Sequence, residues 1–214
     1  MRLYDYGPSQ NCFKVRLLAA HLGLKLEIVP VSIFKGEAAT PAFLAKNPMG
    51  GVPVLETDAG ECLAESNAIL TFLAEGSRYL PPDGIERAQV TRWLMFEQRY
   101  MQTSISRLRY WTLTNKLDAF ARDVPTARAL GNRALDVLDG ELGKRPFIAG
   151  DSYTIADISI FPYAHVAGDA DFDLAARKNL APWFDRVRRQ SGFAGEVIPY
   201  SADPDSMRAL PFAV

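Results

Sequence analysis

The turn after the first predicted strand carries the residue types best suited to chemistry. Residues 2–6 read as a short strand that the breaker pair Gly7-Pro8 ends, and the segment from Ser9 to Cys12 then opens a helix. The free N–H groups of a first helical turn and the helix dipole favour an anion there. The Ser9 hydroxyl can donate a hydrogen bond to a thiolate that a ligand brings, although Ser9 as a plain helix cap is the alternative.

A second candidate site is the segment that leads into Val52-Pro53-Val54-Leu55. Pro53 stands at the start of a predicted strand, where a missing N–H is tolerated. A cis Val52-Pro53 bond would turn the N–H and C=O of Val52 outward, free to pair with an extended peptide. An ordinary trans turn is the alternative interpretation.

A third candidate site is the pair Glu65-Ser66, which precedes a predicted helix over residues 66–74. Ser66 at a helix N-terminus can receive a carboxylate, and Glu65 can bind an amine. Together they suit a zwitterionic amino-acid head group. A helix cap beside a surface acid is the alternative.

The elements that must position these residues follow the order βαβαββα. In the first helix the apolar side chains recur at Val15, Leu18 and Leu22, with Lys14 on another face, and Gly23 is a C-terminal stop signal. The remaining predicted elements of this region are strands over residues 26–31, 53–57 and 62–64 and helices over 41–46 and 66–74. The expected first domain therefore spans residues 1–75.

The second part of the chain reads as helical. Residues 76–84 form a linker because the adjacent Pro81 and Pro82 cannot continue a helix. Helical periodicity follows over residues 85–114, 126–142, 154–166 and 180–190, which predicts an all-α bundle over residues 85–214. Thr154 and Asp157 form a capping-box variant at the start of one of these helices.

Composition excludes several classes of function. The 214 residues carry 24 Lys+Arg and 25 Asp+Glu, so no net field favours nucleic acid or an anionic membrane. Two cysteines, Cys12 and Cys62, and two distant histidines, His21 and His165, are too few for a disulfide framework or a metal cluster. No apolar run reaches membrane-spanning length, and an early acid interrupts any signal-peptide pattern. We expect a soluble cytoplasmic protein without a metal.

Taken together, the motifs resemble the cytosolic glutathione transferase family, in its bacterial, theta- and zeta-like serine type. That resemblance covers nearly the whole chain and implies a thioredoxin-like first domain followed by a helical bundle. Its motifs, in chain order, are Leu3 to Ser9 leading into Cys12 to Arg16, Asn47-Pro48 with Val52 to Leu55, Glu65-Ser66, and Thr154 with Asp157.

The resemblance also implies roles for single residues. Ser9 becomes the catalytic group that stabilises the glutathione thiolate, with Asn11 as the second candidate, while Cys12 reads as buried core. A pocket for a small hydrophobic electrophile is expected between the domains. The implied glutathione-binding residues are Lys35, Val52, Pro53, Glu65 and Ser66, and the implied pocket residues are Pro8, Arg107, Tyr110 and Trp111.

The implied activity is conjugation of glutathione, as co-substrate, to small hydrophobic electrophiles, in a homodimer that serves detoxification. Two alternatives stay open. One is a glutathione-dependent isomerase or ether-cleaving catabolic enzyme, although zeta-like isomerases carry Ser-Ser-Cys-Ser where this chain has Ser9-Gln10-Asn11-Cys12. The other is a non-catalytic glutathione-binding module.

Overall fold

The computed structural model describes residues 1–195 and 197–208, which divide into two compact units. The first unit is built from Met1–Leu73 together with the described residues that follow Phe193. The second unit is Ala74–Phe193. Each unit has its own core.

The first unit is a four-stranded sheet in the order β2-β1-β3-β4. β1 and β2 run parallel, while β3 is antiparallel to both β1 and β4. The element order is therefore the βαβαββα arrangement expected from the sequence. The strands are β1 (Arg2–Asp5), β2 (Glu27–Pro30), β3 (Val54–Glu56) and β4 (Cys62–Ala64), and the helices are α1 (Gln10–Leu22), α2 (Pro41–Leu44) and α3 (Ser66–Ala74).

Both faces of the sheet are covered because side chains alternate along each strand. On one face, Leu3 and Leu55 pack with Val15 of α1 and Ile69 of α3, and all four are fully buried. On the other face, the buried core is a cluster of Val31, Ala38, Phe43 and Val54. This sandwich fixes α1 and α3 on the same side of the sheet.

Single residues explain where α1 begins and where it ends. Ser9 has extended backbone angles, and its hydroxyl accepts a hydrogen bond from the Cys12 amide at 3.3 Å. Gly23 ends the helix with φ 66°, a left-handed conformation that glycine adopts without a steric cost. The Leu24 amide then donates to the Ala19 carbonyl at 2.9 Å, which closes the last turn.

The residues that follow Phe193 correct the expected domain boundary. Helical periodicity predicts a helical domain over residues 85–214, whereas the described residues that follow Phe193, here called the tail, pack with the first unit. The Tyr6 hydroxyl donates to the Asp203 carboxylate at 3.0 Å, and Tyr200 contacts the rings of Tyr6 and Phe34. Residues 209–214 and Glu196 lie outside the described residues.

The second unit is helical. Its helices are α4 (Gly84–Phe96), α5 (Arg107–Leu113), α6 (Val124–Leu142), α7 (Ile155–Ala164) and α8 (Leu180–Arg188). α4 and α5 are joined by a π-helical stretch, Glu97–Ser106, so the predicted single segment over residues 85–114 is continuous but not uniformly α-helical. Within it, the hydroxyls of Thr103 and Ser104 donate to carbonyls four residues earlier and compete with backbone amides for them.

The predicted capping box at α7 is confirmed. The Thr154 hydroxyl accepts from the Ala156 amide at 3.3 Å, and the Asp157 carboxylate accepts from the Thr154 amide at 3.1 Å. Asp157 also accepts from the Ile148 amide and the Trp183 indole, both at 2.9 Å. Burial raises the pKa of Asp157 to about 6 in spite of these bonds.

At the other end of α7, His165 links stability to pH. Its ring stacks on Phe161 at a centroid distance of 4.3 Å, and Nδ1 donates to the Phe161 carbonyl at 2.7 Å. Burial is the main cause that lowers the pKa of His165 from 6.5 to about 4. Between these pH values the unfolded chain binds a proton at His165 that the folded chain does not bind, so this group makes stability fall as pH falls.

We therefore expect His165→Asn to lose less stability than the wild type between pH 7 and pH 4.5. Between pH 7 and pH 4.5, the free energy of unfolding should fall by about 2 kcal/mol less in His165→Asn than in the wild type. Urea unfolding of both proteins at the two pH values measures this difference. Equal pH dependence in His165→Asn and the wild type would contradict the expected shift.

Candidate functional site

The N-terminus of α1 carries the first predicted site residue, Ser9. Its hydroxyl caps the helix by accepting from the Cys12 amide. A hydroxyl accepts through its lone pairs and still has one proton to donate. Ser9 can therefore cap α1 and donate to a ligand's anion at the same time. This geometry is compatible with both interpretations of Ser9, as a helix cap and as a hydrogen-bond donor to a thiolate.

Cys12, three residues further along α1, lies in the core. Its side chain is fully buried, and Sγ accepts from the Tyr6 amide at 3.4 Å. Burial is the main cause that raises the pKa of the Cys12 thiol to about 12. Because the thiolate is the reactive form of cysteine, Cys12 is unreactive at neutral pH, as its interpretation as a core residue predicts.

The start of α3 is backbone-strained. Glu65 has φ 68°, and the Ile69 amide donates to the Glu65 carbonyl at 2.9 Å, so Glu65 stands directly before the first turn. The other described non-glycine residues with positive φ are Asn115 and Asp171, whose types tolerate this region. Such strain costs about 1–3 kcal/mol and concentrates at functional sites.

Ser66 joins the two helix starts. It is 3% exposed, and its hydroxyl donates to Oδ1 of Asn11 on α1 at 3.4 Å. The same Ser66 oxygen accepts from Nζ of Lys14 at 3.3 Å. Asn11 and Ser66, predicted for separate roles, are thus brought together.

Lys14 is the functional candidate that sequence reasoning missed. The helical periodicity put it on a face away from the apolar stripe, but its side chain is 0% exposed. Lysine is almost never fully buried without a polar partner, so periodicity alone gave no reason to place it inside. The observation that identifies Lys14 as a candidate is its tertiary contact with Ser66, 52 residues away in the sequence.

The loop before β3 contains the expected cis peptide bond between Val52 and Pro53. Pairing of β3 with β1 and β4 begins at Val54, so Val52 stands just outside the ladder. The buried Asn47 braces this loop. Its Nδ2 donates to the Gly51 carbonyl at 2.8 Å and its Oδ1 accepts from the Met49 amide at 3.1 Å.

Lys35 lies in the loop after β2, with 56% of its side chain exposed. Its Nζ is 3.7 Å from the carboxylate of Asp205 in the tail. The Lys35 side of this ion pair faces solvent, whereas the Asp205 side chain is 12% exposed and also pairs with Arg208 at 3.0 Å. Asp205 therefore keeps a cationic partner if Lys35 binds an anionic ligand instead.

The predicted electrophile residues fall in different places. Pro8 is buried in the first unit, and its carbonyl accepts from Gln10 Nε2 at 3.4 Å. The other three lie on α5 of the second unit. Arg107 is exposed, Tyr110 is partly buried, and Trp111 is 4% exposed and stacked on Phe120 at 4.5 Å. Their role in a pocket stays a prediction.

Among residues 1–195 and 197–208, no three His, Cys, Asp or Glu side chains are grouped so that they could hold a metal ion. In the same described residues, no helix is both long enough and apolar enough to cross a bilayer.

The two units match known domains in the same order. The class of this protein is defined by two features of its fold. A thioredoxin-like unit presents two helix N-termini, and a helical unit follows it in the chain. The family model for the glutathione S-transferase N-terminal domain matches residues 1–75, and the model for its C-terminal domain matches residues 87–186. The chain belongs to the glutathione S-transferase family.

Individual relatives agree with that assignment. The chain is 30% identical to glutathione S-transferase 3 of Zea mays over 96% of its own length and 98% of that protein. It is 32% identical to elongation factor 1-gamma of Artemia salina, over 79% of this chain and 40% of that protein. The crystal structure of a glutathione S-transferase from Pseudomonas fluorescens superposes with a TM-score of 0.88 at 39% identity, covering 91% and 97% of the two chains.

The positive φ of Glu65 gives a stability prediction. Glu65→Gly should leave the free energy of unfolding unchanged or raise it by up to about 1 kcal/mol, because glycine adopts this conformation freely. Glu65→Val should lower it by about 1–2 kcal/mol, because a β-branched residue is strained there. Urea unfolding of both variants measures the difference.

The matched control is the pair Glu61→Gly and Glu61→Val at an exposed acid whose φ is not positive. At that position glycine should be the more destabilising of the two. The same order at Glu65 would show that the backbone there is unstrained.

Proposed function

We propose that this protein binds reduced glutathione and holds its sulfur as a thiolate at the N-terminus of α1. The enzyme then conjugates glutathione, through that sulfur, to small hydrophobic electrophiles. The observation that carries the proposal is the Ser9 hydroxyl, which caps α1 in a unit matched by the family's N-terminal domain. From that position it can donate its proton to a sulfur atom.

The energetics of thiol ionisation are consistent with this role. A free thiol has a pKa of about 8.5, and lowering it by ~2 units requires ~2.7 kcal/mol in favour of the thiolate. One hydrogen bond to a charged group contributes ~1.5–3 kcal/mol. The helix N-terminus adds ~0.3–1 kcal/mol. These two sources suffice without a metal or a separate general base.

The rest of the tripeptide has matching partners in the first unit. The backbone of Val52, beside cis Pro53, would pair with the cysteinyl residue as an added strand. Ser66 and the N-terminus of α3 would receive the γ-glutamyl carboxylate, and the exposed Glu65 would bind its amine. Lys35 would exchange Asp205 for the glycyl carboxylate.

The remaining parts of the proposal rest on family membership. Pro8, Arg107, Tyr110 and Trp111 would line the site for the hydrophobic electrophile. We propose a cytoplasmic homodimer that serves detoxification, with glutathione as co-substrate rather than a bound cofactor.

Ser9→Ala tests the proposed chemistry. The pKa of the bound glutathione thiol should rise by about 1–2 units, because the variant loses a hydrogen bond to the thiolate. The value of kcat/KM for an activated aryl halide should fall about 3- to 25-fold at pH 7, because the thiolate fraction falls as the thiol pKa rises from about 6.5. The Kd of glutathione should change little. Ultraviolet titration of the bound thiolate, calorimetry and steady-state kinetics measure the three quantities.

Two further variants sharpen that experiment. Ser9→Thr keeps a hydroxyl that can cap and donate, so it should retain most of the pKa shift. Asn11→Ala tests the second candidate for the same role. A thiol pKa that moves with Asn11 and stays constant in Ser9→Ala would transfer the catalytic role to Asn11.

A second candidate function is a non-catalytic glutathione-binding module. The observation that favours it is the 32% identity with elongation factor 1-gamma of Artemia salina, whose name denotes no transferase. This alternative expects glutathione to bind with an unshifted thiol pKa and without turnover. The titration of bound glutathione in the wild-type protein separates the two functions.

A further inference from the structure

From the buried contact between α1 and α3 we infer that Lys14 is a positioning residue for the γ-glutamyl carboxylate of glutathione. Its ammonium group sets the direction in which the Ser66 hydroxyl donates its proton. The inference rests on the proposed function and assigns a role to a residue that the motifs did not single out.

The first step is the placement of the charge. Lys14 is 0% exposed, and Nζ lies 3.3 Å from Oγ of Ser66, the first residue of α3. Removing an ammonium group from water is costly, whereas methionine would fill a similar volume without that cost. A lysine here therefore indicates that its charge and its donors are used.

The second step is the direction of the hydrogen bonds. An ammonium group has three N–H donors and no acceptor, so Ser66 Oγ must accept the bond from Lys14. The single Ser66 proton then points away from Lys14. In this structure it is donated to Oδ1 of Asn11 at 3.4 Å.

The third step is the effect on a ligand. Donation from a cation polarises the hydroxyl and strengthens the bond that the hydroxyl donates in turn. A carboxylate at the N-terminus of α3 is a stronger acceptor than the neutral Asn11 amide and would take over the Ser66 proton. Lys14 thereby favours the γ-glutamyl carboxylate through Ser66 without touching it.

The role predicts a selective defect. Lys14→Met should raise the Kd of glutathione about ten-fold, because the Ser66 hydroxyl loses the cation that polarises and orients it and donates a weaker hydrogen bond to the carboxylate. The Kd of 4-aminobutyryl-cysteinyl-glycine, which is glutathione without that carboxylate, should change less than about two-fold. The thiol pKa of bound glutathione should stay at its wild-type value. Calorimetry with both peptides and ultraviolet titration give these readouts.

Four variants complete the experiment. Lys25→Met removes an exposed lysine just after α1 and should bind both peptides as the wild type does. Ser66→Ala should show the same selective defect, and Ser66→Ala with Lys14→Met should bind glutathione no more weakly than Ser66→Ala alone. Lys14→Gln, a neutral donor, should give an intermediate Kd and serves if Lys14→Met does not fold.

The outcomes separate the inference from the proposed function. Equal weakening of both peptides by Lys14→Met, or by Lys14→Gln in its place, would make Lys14 a purely structural residue and overturn the inference. A wild-type protein that binds both peptides equally would also overturn it, while leaving thiol activation at Ser9 intact. A wild-type protein that binds neither peptide would overturn the inference and the proposed function together.

Discussion

The site depends on one constraint, the meeting of two helix N-termini on the same side of a small sheet. Val15 of α1 and Ile69 of α3 pack with Leu3 and Leu55 in one buried cluster, so neither helix can shift without opening the core. The contact between Ser66 and Asn11 shows how near the two helix starts come. Their free amides and dipoles favour anions in that region.

This arrangement separates two tasks on two helices. The N-terminus of α1 would stabilise the sulfur, and the N-terminus of α3 would receive the carboxylate at the other end of the γ-glutamyl arm. Lys14 connects these tasks because it lies on α1 while its ammonium group donates to the first residue of α3. A buried cation against the first residue of α3 adds to the positive potential at that helix start, since the low dielectric of the interior strengthens its field.

The second unit is stabilised by a different kind of polar group. The buried Asp157 accepts from four donors on the chain before α7 and on α8, which ties those segments to the start of α7. Burial of the Asp157 carboxylate raises its pKa, because the loss of solvation outweighs the hydrogen bonds that favour the charged form. Buried polar networks of this type specify one packing arrangement when every member has a partner.

Local sequence patterns predict the order of elements, the helix ends at Ser9 and Gly23, and the capping box of Thr154 and Asp157, because these features depend on residues at most a few positions apart. Local patterns did not predict three other features, which are the burial of Lys14, the positive φ of Glu65 and the packing of Tyr200 against the first unit. Those features arise from contacts between segments that are distant in the sequence. A local pattern of apolar and polar residues does not specify which distant segment will pack against it.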